Sequence, residues 1–259
     1  MGILNLSKDS FYDGGKYIDE EQIVSRCKTM LDEGASIIDI GAQSSRPGAT
    51  QFSSEEEVKK LLPIIKLLRN NFCNITISID TFWANTAKEC IQAGADIIND
   101  IYAGEMDKNM FSTIAKLNVP YVIMHMQGTP QTMQEDPSYK NASKEILAYF
   151  ENKIDTLHQL GFYKIVIDPG FGFGKTIEHN YQLLNNLATL KSLELPILVG
   201  TSRKSMIYKL LDVTPQHALN GTSITNTIAL QNGANILRVH DVKDAIECIK
   251  ITTFAKNNC

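Results

Sequence analysis

The sequence predicts a (β/α)8 barrel, the TIM barrel architecture, formed as one domain over residues 1–259. Short apolar runs alternate with segments of helical periodicity, and polar residues follow the predicted strands at one common end. A doubly wound open sheet is the alternative, but it would usually show one dominant phosphate-binding glycine turn after its first strand. Polar residues at the ends of all eight predicted strands favour the barrel.

The predicted strands are short and rich in isoleucine and valine, as strands buried on both faces should be. They cover residues 2–6, a run ending at Asp39, 75–80, a run ending at Asn99, 120–125, 165–168, 197–200 and 236–239. Residues 33–39, 93–99 and 232–238 repeat one pattern, in which Gly-Ala and a polar residue precede two aliphatic residues. Glycine can end a helix in the left-handed conformation, so each repeat predicts a helix-turn-strand unit.

The predicted helices alternate with these strands. They cover 21–33, a segment beginning with a capping box from Ser54 to Glu57, 83–93, 108–117, 141–160, 177–190, 204–211, 217–231 and 242–254. Pro63 lies inside the second helix and predicts a kink there. Residues 128–139 are predicted to form a long loop rather than a linker to a second domain.

Composition excludes several classes of partner. The chain is 43% hydrophobic, carries a net charge of −4 and has a pI near 5.8, which argues against nucleic acid or an anionic membrane. No apolar run approaches the length of a membrane span, and Met1 leads into a strand rather than a signal peptide. The five cysteines show no CxxC pair, so we expect reduced thiols in helices or the tail of a cytoplasmic protein.

Polar residues at the strand ends are the candidate functional residues. They are Asn5, Asp39, Asp80, Asn99, His125, Asp168, residues 202–204, Arg238 and His240. Each has an ordinary explanation alone: an aspartate can cap the next helix, His125 can be a satisfied core histidine, and Arg238 can pair with Asp241. Because a barrel brings all of these strand ends to one mouth, the set indicates a site.

The types of residue narrow its chemistry. Asp80, Asn99, Asp168 and Lys204 offer acceptors, an amide and a cation that suit a planar heterocycle rich in hydrogen-bonding groups, such as a pterin. Arg238 can stack on such a ring, and with His240 it supplies two positive donors for a phosphate. Asn5 is a neutral oxygen ligand, which fits a Mg²⁺ held mainly by substrate phosphates. Scattered histidines and unpaired cysteines exclude a zinc site.

The glycine-rich stretch after the sixth strand, Asp168-Pro-Gly-Phe-Gly-Phe-Gly-Lys175, has two interpretations. Asp168 either belongs to the site or caps the next helix, and the barrel context favours the site. The stretch lacks a GK[ST] pattern, so it is not a P-loop. Lys175 either faces a bound substrate or points to solvent.

Several motifs together resemble the dihydropteroate synthase family, nearly from end to end and in order. They are residues 1–15, Asp39-Ile-Gly-Ala-Gln-Ser-Ser-Arg-Pro-Gly48, Ser78-Ile-Asp-Thr81, Ile98-Asn-Asp100, Met124-His-Met126, the glycine-rich stretch, Ser202-Arg-Lys-Ser205 and Arg238-Val-His-Asp241. The resemblance implies a transferase that condenses 6-hydroxymethyl-7,8-dihydropterin pyrophosphate with p-aminobenzoate. The products would be 7,8-dihydropteroate and pyrophosphate, in folate biosynthesis.

The resemblance also implies residue roles. Asp80, Asn99, Met124, Asp168, Lys204 and Arg238 would bind the pterin, while Asn5, Arg238 and His240 would hold pyrophosphate, with Asn5 on Mg²⁺. Pyrophosphate would leave in an SN1-like step, Asp80 and Asp13 would offset the positive charge on the pterin, and Lys204 would complete the catalytic group. Two loops would close over p-aminobenzoate, forming a pocket from Phe11, Ser45, Arg46, Pro47, Phe173, Lys204 and Ser205.

The sequence departs from the family pattern at a few positions. Lys8 stands where proline is common, and Gln43 and Ser45 replace a common glutamate or threonine. Since no insertion interrupts residues 43–48, the resemblance implies competitive inhibition by sulfonamides. It also implies a homodimer, and the apolar residues Ile224, Ile228, Ile246 and Ile249 are either core or interface. A pterin-dependent methyltransferase and a non-catalytic pterin-binding protein are the alternatives, but neither explains the Ser45-Arg-Pro47 and pyrophosphate residues together.

Overall fold

The computed structural model describes residues 1–6, 12–13, 17–43, 52–129, 133 and 137–258, with the backbone alone at 12–13 and 17–18. Ten strands lie in this part of the chain. They are β1 (Gly2–Asn5), β2 (Tyr12–Asp13), β3 (Tyr17–Ile18), β4 (Ile37–Gly41), β5 (Thr76–Asp80), β6 (Ile97–Asp100), β7 (Tyr121–Met124), β8 (Ile165–Asp168), β9 (Leu198–Val199) and β10 (Ile236–Leu237).

Eight of these strands close into a parallel barrel. One sheet runs in the order β1-β4-β5-β6-β7-β8, and β9 pairs with β10. Parallel bridges from Ile167 to Ile197 and from Gly2 to Val239 join the two sheets at both edges. The predicted (β/α)8 barrel is therefore confirmed, and the remaining pair, β2 and β3, is a small antiparallel hairpin in the first βα connection.

Helices follow the barrel strands in the predicted alternation. The α-helices are α1 (Glu20–Asp32), α2 (Ser54–Asn71), α3 (Ala84–Gln92), α4 (Met110–Leu117), α5 (Ala142–Gln159), α6 (Ile177–Asn185), α7 (Ser205–Tyr208), α8 (Leu219–Gln231) and α9 (Val242–Asn257). Two 3₁₀ segments, Leu187–Leu193 and Pro215–His217, replace parts of predicted helices. The predicted helix 177–190 thus ends at Asn185, because the chain tightens into 3₁₀ geometry from Leu187 onward.

The start of α2 corrects one prediction. The capping box runs from Ser53 to Glu56, one residue earlier than the predicted pair of Ser54 and Glu57. Ser53 is extended and accepts a hydrogen bond from Glu56 N, while the Glu56 carboxylate accepts one from Ser53 N. This register leaves Glu57 on the inner side of the first turn, completely buried.

The core lies between the barrel and its ring of helices. Ile38 and Ile40 of β4 and Ile77 and Ile79 of β5 point outward into it, with no exposed surface. Side chains alternate along a strand, so Asp39 and Ser78 between them point into the barrel. Burying each isoleucine contributes roughly 1.5–3 kcal/mol, and truncating one to alanine costs about 2–5 kcal/mol.

The helix-turn-strand repeat is also confirmed. Glycines 34, 94, 161 and 233 all have positive φ where a helix gives way to the next strand. These turns precede β4, β6, β8 and β10. Because all eight barrel strands run parallel, their carboxyl ends meet at one mouth of the barrel. None of the helices in the described residues has the length and apolarity required to cross a membrane.

Candidate active site

The barrel mouth is organised around Arg238, which directly follows β10. Its Nε donates to Asp39 Oδ2 at 2.7 Å, and its Nη2 donates to Asp80 Oδ2 at 2.9 Å. Asp39 also accepts hydrogen bonds from Ser78 Oγ at 2.5 Å and from Asn99 Nδ2 at 3.2 Å. One buried carboxylate therefore fixes both Arg238 and Asn99. The alternative pairing of Arg238 with Asp241 is wrong, since Asp241 binds Arg203.

The carboxyl of Asp80 ends β5 beside this pair, and its side chain is 23% exposed. Burial raises its pKa to about 7, against the lowering effect of Arg238; the negative charge of Asp39 raises it further. The group is thus poised between its two protonation states near neutral pH. A ligand that donates hydrogen bonds to Asp80 stabilises the carboxylate form.

Asp168 closes β8 opposite β7, in register with Met124. Burial raises its pKa, while Lys204 lowers it. Its Oδ1 accepts a hydrogen bond from Gly170 N at 2.8 Å. The carboxyl is therefore bonded to the glycine-rich segment Gly170 to Gly174, called the glycine loop below. It does not cap α6, because Thr176 is the N-cap and bonds His179 N. The structure therefore favours a site residue over a helix cap.

Lys204 precedes α7 and reaches across to the glycine loop. Its Nζ donates to Phe171 O at 2.6 Å and lies 4.6 Å from the centre of the Phe173 ring. Burial lowers the pKa of Lys204 to about 8, partly offset by Asp168. Lys204 is therefore a cation below this pH, close to the Phe173 ring and near enough to Asp168 for the two charges to interact.

The glycine loop follows the barrel wall closely. Gly170 has φ +71°, and a Cβ there would lie 1.9 Å from His125 O. At Gly174, with φ +58°, a Cβ would lie 2.3 Å from Gln127 O. Only glycine fits at either position, and the loop backbone packs directly on the end of β7.

Lys175 is buried, so neither predicted position for it is correct. Its Nζ donates to Gly170 O at 2.9 Å and Phe173 O at 3.0 Å, and lies 3.1 Å from His125 Nδ1. Burial lowers the pKa of His125 to about 2, so the ring is neutral. When Lys175 is protonated its ammonium can only donate, and the imidazole proton is then on Nε2. Lys175 thus holds the glycine loop, and His125 is its acceptor.

His240 lies beside Arg238 but is not a second cation. Burial and the charge of Arg238 lower the pKa of the imidazole to about 4, so it is neutral near pH 7. Its backbone is held from both sides, because its N donates to Ser202 Oγ and its O accepts from Arg26 Nη2. By this pKa the pair consists of one guanidinium and one neutral imidazole, and the role of both in holding pyrophosphate stays a prediction.

An apolar cluster separate from the main core lies beside the mouth, on residues at or just after the ends of β5, β6 and β7. Phe82 and Tyr102 meet edge to face with ring centres 4.9 Å apart, and Met124 is buried with them. Phe173 and Trp83 are partly buried against the cluster. The arrangement gives a flat ligand an apolar surface next to the polar groups of Asp80 and Asp168.

The remaining predicted residues fall in two groups. Ser205 begins α7 and is partly exposed beside Lys204. The predicted p-aminobenzoate residues Phe11, Ser45, Arg46 and Pro47 lie outside the described residues, and Asp13 is described only through its backbone in β2. Their roles stay predictions.

A divalent cation fits what the described residues offer. Asn5 ends β1, and a Cβ at Gly41 would lie 3.6 Å from Asn5 Oδ1 and 3.7 Å from Asp80 Oδ2. The missing side chain leaves both oxygens facing one space. Within the described ranges no three His, Cys, Asp or Glu side chains are grouped as a metal site. This donor set suits Mg²⁺ that takes most of its ligands from phosphate and water.

The sequence indicated the positions of two residues at the mouth, Asp39 and Ser78, but did not predict their contacts. Asp39 was recognised as a strand-end residue, yet it lies in the middle of β4 and links Arg238 to Asn99. Ser78, in the middle of β5, donates to it. The signal for both is a polar residue between isoleucines in an otherwise apolar strand, which points into the barrel.

Comparison with known proteins identifies the family. The family described as pterin binding enzyme matches residues 1–240. The dihydropteroate synthase of Escherichia coli (strain K12) is 42% identical, over 100% of this chain and 93% of that protein. The structure resembles the Yersinia pestis dihydropteroate synthase with a sulfonamide drug complex, at a TM-score of 0.92 and 40% identity over 100% and 93% of the two chains.

A second solved structure agrees. Xanthomonas albilineans dihydropteroate synthase with 4-aminobenzoic acid has a TM-score of 0.90 and 35% identity, over 98% of this chain and 92% of that one. These matches span nearly the whole barrel and include the strand ends that form the mouth. The chain therefore belongs to the pterin binding enzyme family, among the dihydropteroate synthases.

Proposed function

We propose that the protein is a transferase of folate biosynthesis that joins 6-hydroxymethyl-7,8-dihydropterin pyrophosphate to p-aminobenzoate, using residues 1–259 as one domain. The carbon–oxygen bond to pyrophosphate breaks, a carbon–nitrogen bond to the amine forms, and the amine loses one proton. The products are 7,8-dihydropteroate and pyrophosphate. The observation that carries the proposal is the convergence of Asp80, Asn99, Asp168, Lys204 and Arg238 at one mouth, in a chain 42% identical to a dihydropteroate synthase.

The pterin occupies the part of the mouth between Asp80 and Asp168. Their carboxylates accept hydrogen bonds from the amino-pyrimidinone edge, and Asn99 and Lys204 add a neutral amide and a cationic donor. Met124 lies on one face of the pterin ring. Arg238 stacks on the pterin ring while its guanidinium keeps the hydrogen bond to Asp39. The apolar cluster around Phe82 and Tyr102 supports this placement of a flat ligand.

Pyrophosphate lies at the ends of β1 and β10, where Arg238 and the neutral imidazole of His240 donate to its oxygens. Asn5, together with the pyrophosphate, would hold Mg²⁺, which would supply positive charge to offset that of the leaving group. Pyrophosphate departs in an SN1-like step, and the carboxylates of Asp80 and Asp13 stabilise the cation left at the pterin methylene. Lys204 holds the pterin in place during this step.

The second substrate approaches from the side of Phe173. Lys204 and Ser205 lie on this side, and the pocket is completed by Phe11, Ser45, Arg46 and Pro47 from the two loops. The Xanthomonas relative was solved with 4-aminobenzoic acid and the Yersinia relative with a sulfonamide, which supports this assignment. The free amine is already a nucleophile, so no activated serine or cysteine is required.

The test is turnover by the purified protein with the pterin pyrophosphate, p-aminobenzoate and Mg²⁺, with dihydropteroate measured by chromatography. We expect product only when all three are present, and competition between a sulfonamide and p-aminobenzoate. Pterin binding by calorimetry without turnover would contradict the transferase and favour a binding protein. A sulfonamide that fails to compete would contradict the assigned pocket.

A cytoplasmic location stays a prediction from the sequence.

We further propose that the protein forms a homodimer through α8 and α9. Ile224, Ile251 and Phe254 are 53%, 69% and 72% exposed on these two neighbouring helices. Ile228, Ile246 and Ile249 pack against the core. Phe254→Glu should convert a dimer to a monomer in light scattering, whereas Tyr163→Glu, which replaces a similarly exposed ring in the connection between α5 and β8, should not.

A further inference from the structure

Asp100 is a buried carboxyl that the proposed reaction does not use. It ends β6, directly after Asn99, and has no exposed surface. Asn99 points into the barrel toward Asp39, so the alternation along the strand turns Asp100 outward, into the layer between the barrel and its helices. No lysine or arginine among the described residues forms an ion pair with it. Burying such a group is costly and needs an explanation.

Three donors contact the Asp100 carboxyl. Its Oδ1 accepts from Tyr102 N at 2.8 Å, and its Oδ2 accepts from Gly104 N at 2.8 Å and from Tyr121 Oη at 2.5 Å. Burial raises the pKa of Asp100 to about 6, against the lowering effect of these three donors. The two backbone donors lie in the connection after β6, while Tyr121 begins the neighbouring strand β7. One carboxyl therefore joins this connection to the barrel wall.

The connection after β6 is held in a conformation that residues with a side chain rarely adopt. Ala103 has φ +47° and no exposed surface. Gly104 follows with φ +77°, and a Cβ there would lie 2.4 Å from the ring of Phe111. A left-handed alanine persists where its surroundings fix it, and the amides of the residues on either side of Ala103 are the two that donate to Asp100. Asp100 therefore fixes the shape of residues 101–104.

This shape determines where part of the apolar cluster beside the mouth lies. Ile101 and Tyr102 are two of its buried members. Tyr102 meets the ring of Phe82 edge to face, and Phe82 contacts Trp83 with ring centres 5.1 Å apart. The two members that come from the β6 connection are therefore placed by hydrogen bonds to Asp100, on the opposite side of the backbone from the cluster.

We propose that Asp100 is a positioning residue that sets Ile101 and Tyr102 against the pterin ring, with Tyr121 as its partner. The inference rests on the proposed function, in which the pterin lies beside the apolar cluster and Asn99 binds its edge. Because Asn99 and Asp100 are consecutive, one strand end supplies both the amide for the ring and the carboxyl that places an apolar surface next to it. Asp100 does this without contacting either substrate.

A simpler role for Asp100 would be stability alone. Asp96 offers a matched comparison, because it lies just before the other end of the same strand and accepts from Arg69 Nη2 and Ile77 N. Asp96→Asn should lower the melting temperature and leave pterin binding unchanged. If Asp100 stabilised the fold and did no more, Asp100→Asn would give the same result.

The test measures the affinity of the purified protein for 6-hydroxymethyl-7,8-dihydropterin by calorimetry. In Asp100→Asn the amide group turns its own N–H toward at least one backbone N–H, so a hydrogen bond is replaced by a repulsive contact. We expect the dissociation constant for this pterin to rise about tenfold or more, while KM for p-aminobenzoate at saturating pterin pyrophosphate stays within about threefold. Tyr121→Phe removes one of the three donors and should raise the dissociation constant about threefold or more.

The single tryptophan of the chain, Trp83, provides an independent measurement. Its ring packs against the apolar cluster beside Phe82, so its fluorescence reports the arrangement of the cluster when no substrate is present. We expect the emission maximum of the folded protein to shift in Asp100→Asn and to stay unchanged in Asp96→Asn.

The outcomes are separable. Turnover by the unchanged protein is measured first, and its absence would reject the proposed function itself. With turnover present, an unchanged pterin affinity in Asp100→Asn, an equal loss in Asp96→Asn, or an unchanged emission of Trp83 in Asp100→Asn would overturn the role of Asp100. Should Asp100→Asn fail to fold, Tyr121→Phe decides instead, and a pterin affinity equal to that of the unchanged protein would overturn the proposal.

Discussion

Arg238 and Asp39, 199 residues apart in the sequence, form an ion pair of 2.7 Å in which the carboxylate is completely buried. The pair joins the last strand of the barrel to its second, across the closing seam. Because Asp39 also accepts from Ser78 and Asn99, it fixes the guanidinium and the amide relative to each other. Asp39 therefore positions two groups of the mouth without itself having to contact a substrate.

Replacing Asp39 with asparagine should weaken the pterin pyrophosphate reaction. The change leaves Arg238 with Asp80 as its remaining carboxyl partner among the described residues, and the loss of a charge-assisted bond costs about 1.5–3 kcal/mol, or roughly 10- to 100-fold in kcat/KM. Steady-state kinetics measures the effect. Asp96→Asn is the control, since it breaks a comparable pair with Arg69 away from the mouth and should lower stability while leaving the kinetics unchanged.

The value of kcat/KM should show a bell-shaped dependence on pH that is set by the pKa values of two groups of the free enzyme, Asp80 and Lys204. In the proposed function Asp80 accepts from the pterin and must therefore be ionised. Its pKa is about 7, so kcat/KM should rise with pH through this value. Lys204 must be protonated to donate, and its pKa is about 8, so kcat/KM should fall above it.

Lys204→Arg tests the assignment of the alkaline limb. The guanidinium stays protonated throughout the range, so the variant should keep the acid limb and lose the alkaline one, at a lower overall rate. An alkaline limb that persists in this variant would contradict the assignment to Lys204.

Lys175→Met should destabilise the protein. It removes the donor to Gly170 O, Phe173 O and His125 Nδ1, which leaves buried acceptors unsatisfied at a cost of roughly 2–4 kcal/mol. Lys164→Met, at an exposed lysine that bonds Asn118 O, should change the unfolding free energy by less than about 0.5 kcal/mol. Thermal or urea unfolding measures both.

The effect of Lys175→Met should also depend on pH. Burial lowers the pKa of Lys175 from 10.5 to about 7, so between these values the unfolded chain binds more protons than the folded one. Stability from this residue therefore rises with pH over that window. The gap in melting temperature between the unchanged protein and the variant should widen from pH 6 to pH 9. A constant gap would argue against a lowered pKa.

Asn5→Ala should raise the Mg²⁺ concentration needed for half-maximal turnover, with a maximal rate approached at high Mg²⁺. The reason is that the cation would keep its phosphate and water ligands while losing one protein oxygen. A titration of Mg²⁺ at fixed substrate measures this, with Asn71→Ala at the exposed end of α2 as control. An unchanged requirement for Mg²⁺ would exclude Asn5 as a ligand.

The sequence predicted the barrel because its signals are local. Apolar strands and helix-ending glycines recur along the chain, and they determine the eight strands and their common direction. Local signals of this kind could not predict which side chains on different strands and loops contact each other. The partner of Arg238 is on β4 rather than at Asp241, and Lys175 turns inward because three acceptors from two elements happen to meet around it. These depend on how strands align, which no single segment encodes.

The sequence was also less reliable at the ends of elements. The capping box shifted by one residue, from Ser54 to Ser53, because two serines and three glutamates in a row allow either register. In the observed register Glu57 lies on the buried side of the helix. Tertiary packing selects the register that buries Leu61, Ile64 and Ile65.

The glycine loop also limits how the protein can change under selection by an inhibitor. At Gly170 and Gly174 any side chain would collide with the backbone of β7 or its following residues, so escape by substitution there would disrupt the barrel. Both glycines are buried, so the part of this loop that an inhibitor can reach is Gly172 and Phe173. Resistance within the loop would therefore arise at these accessible residues and leave the two buried glycines unchanged.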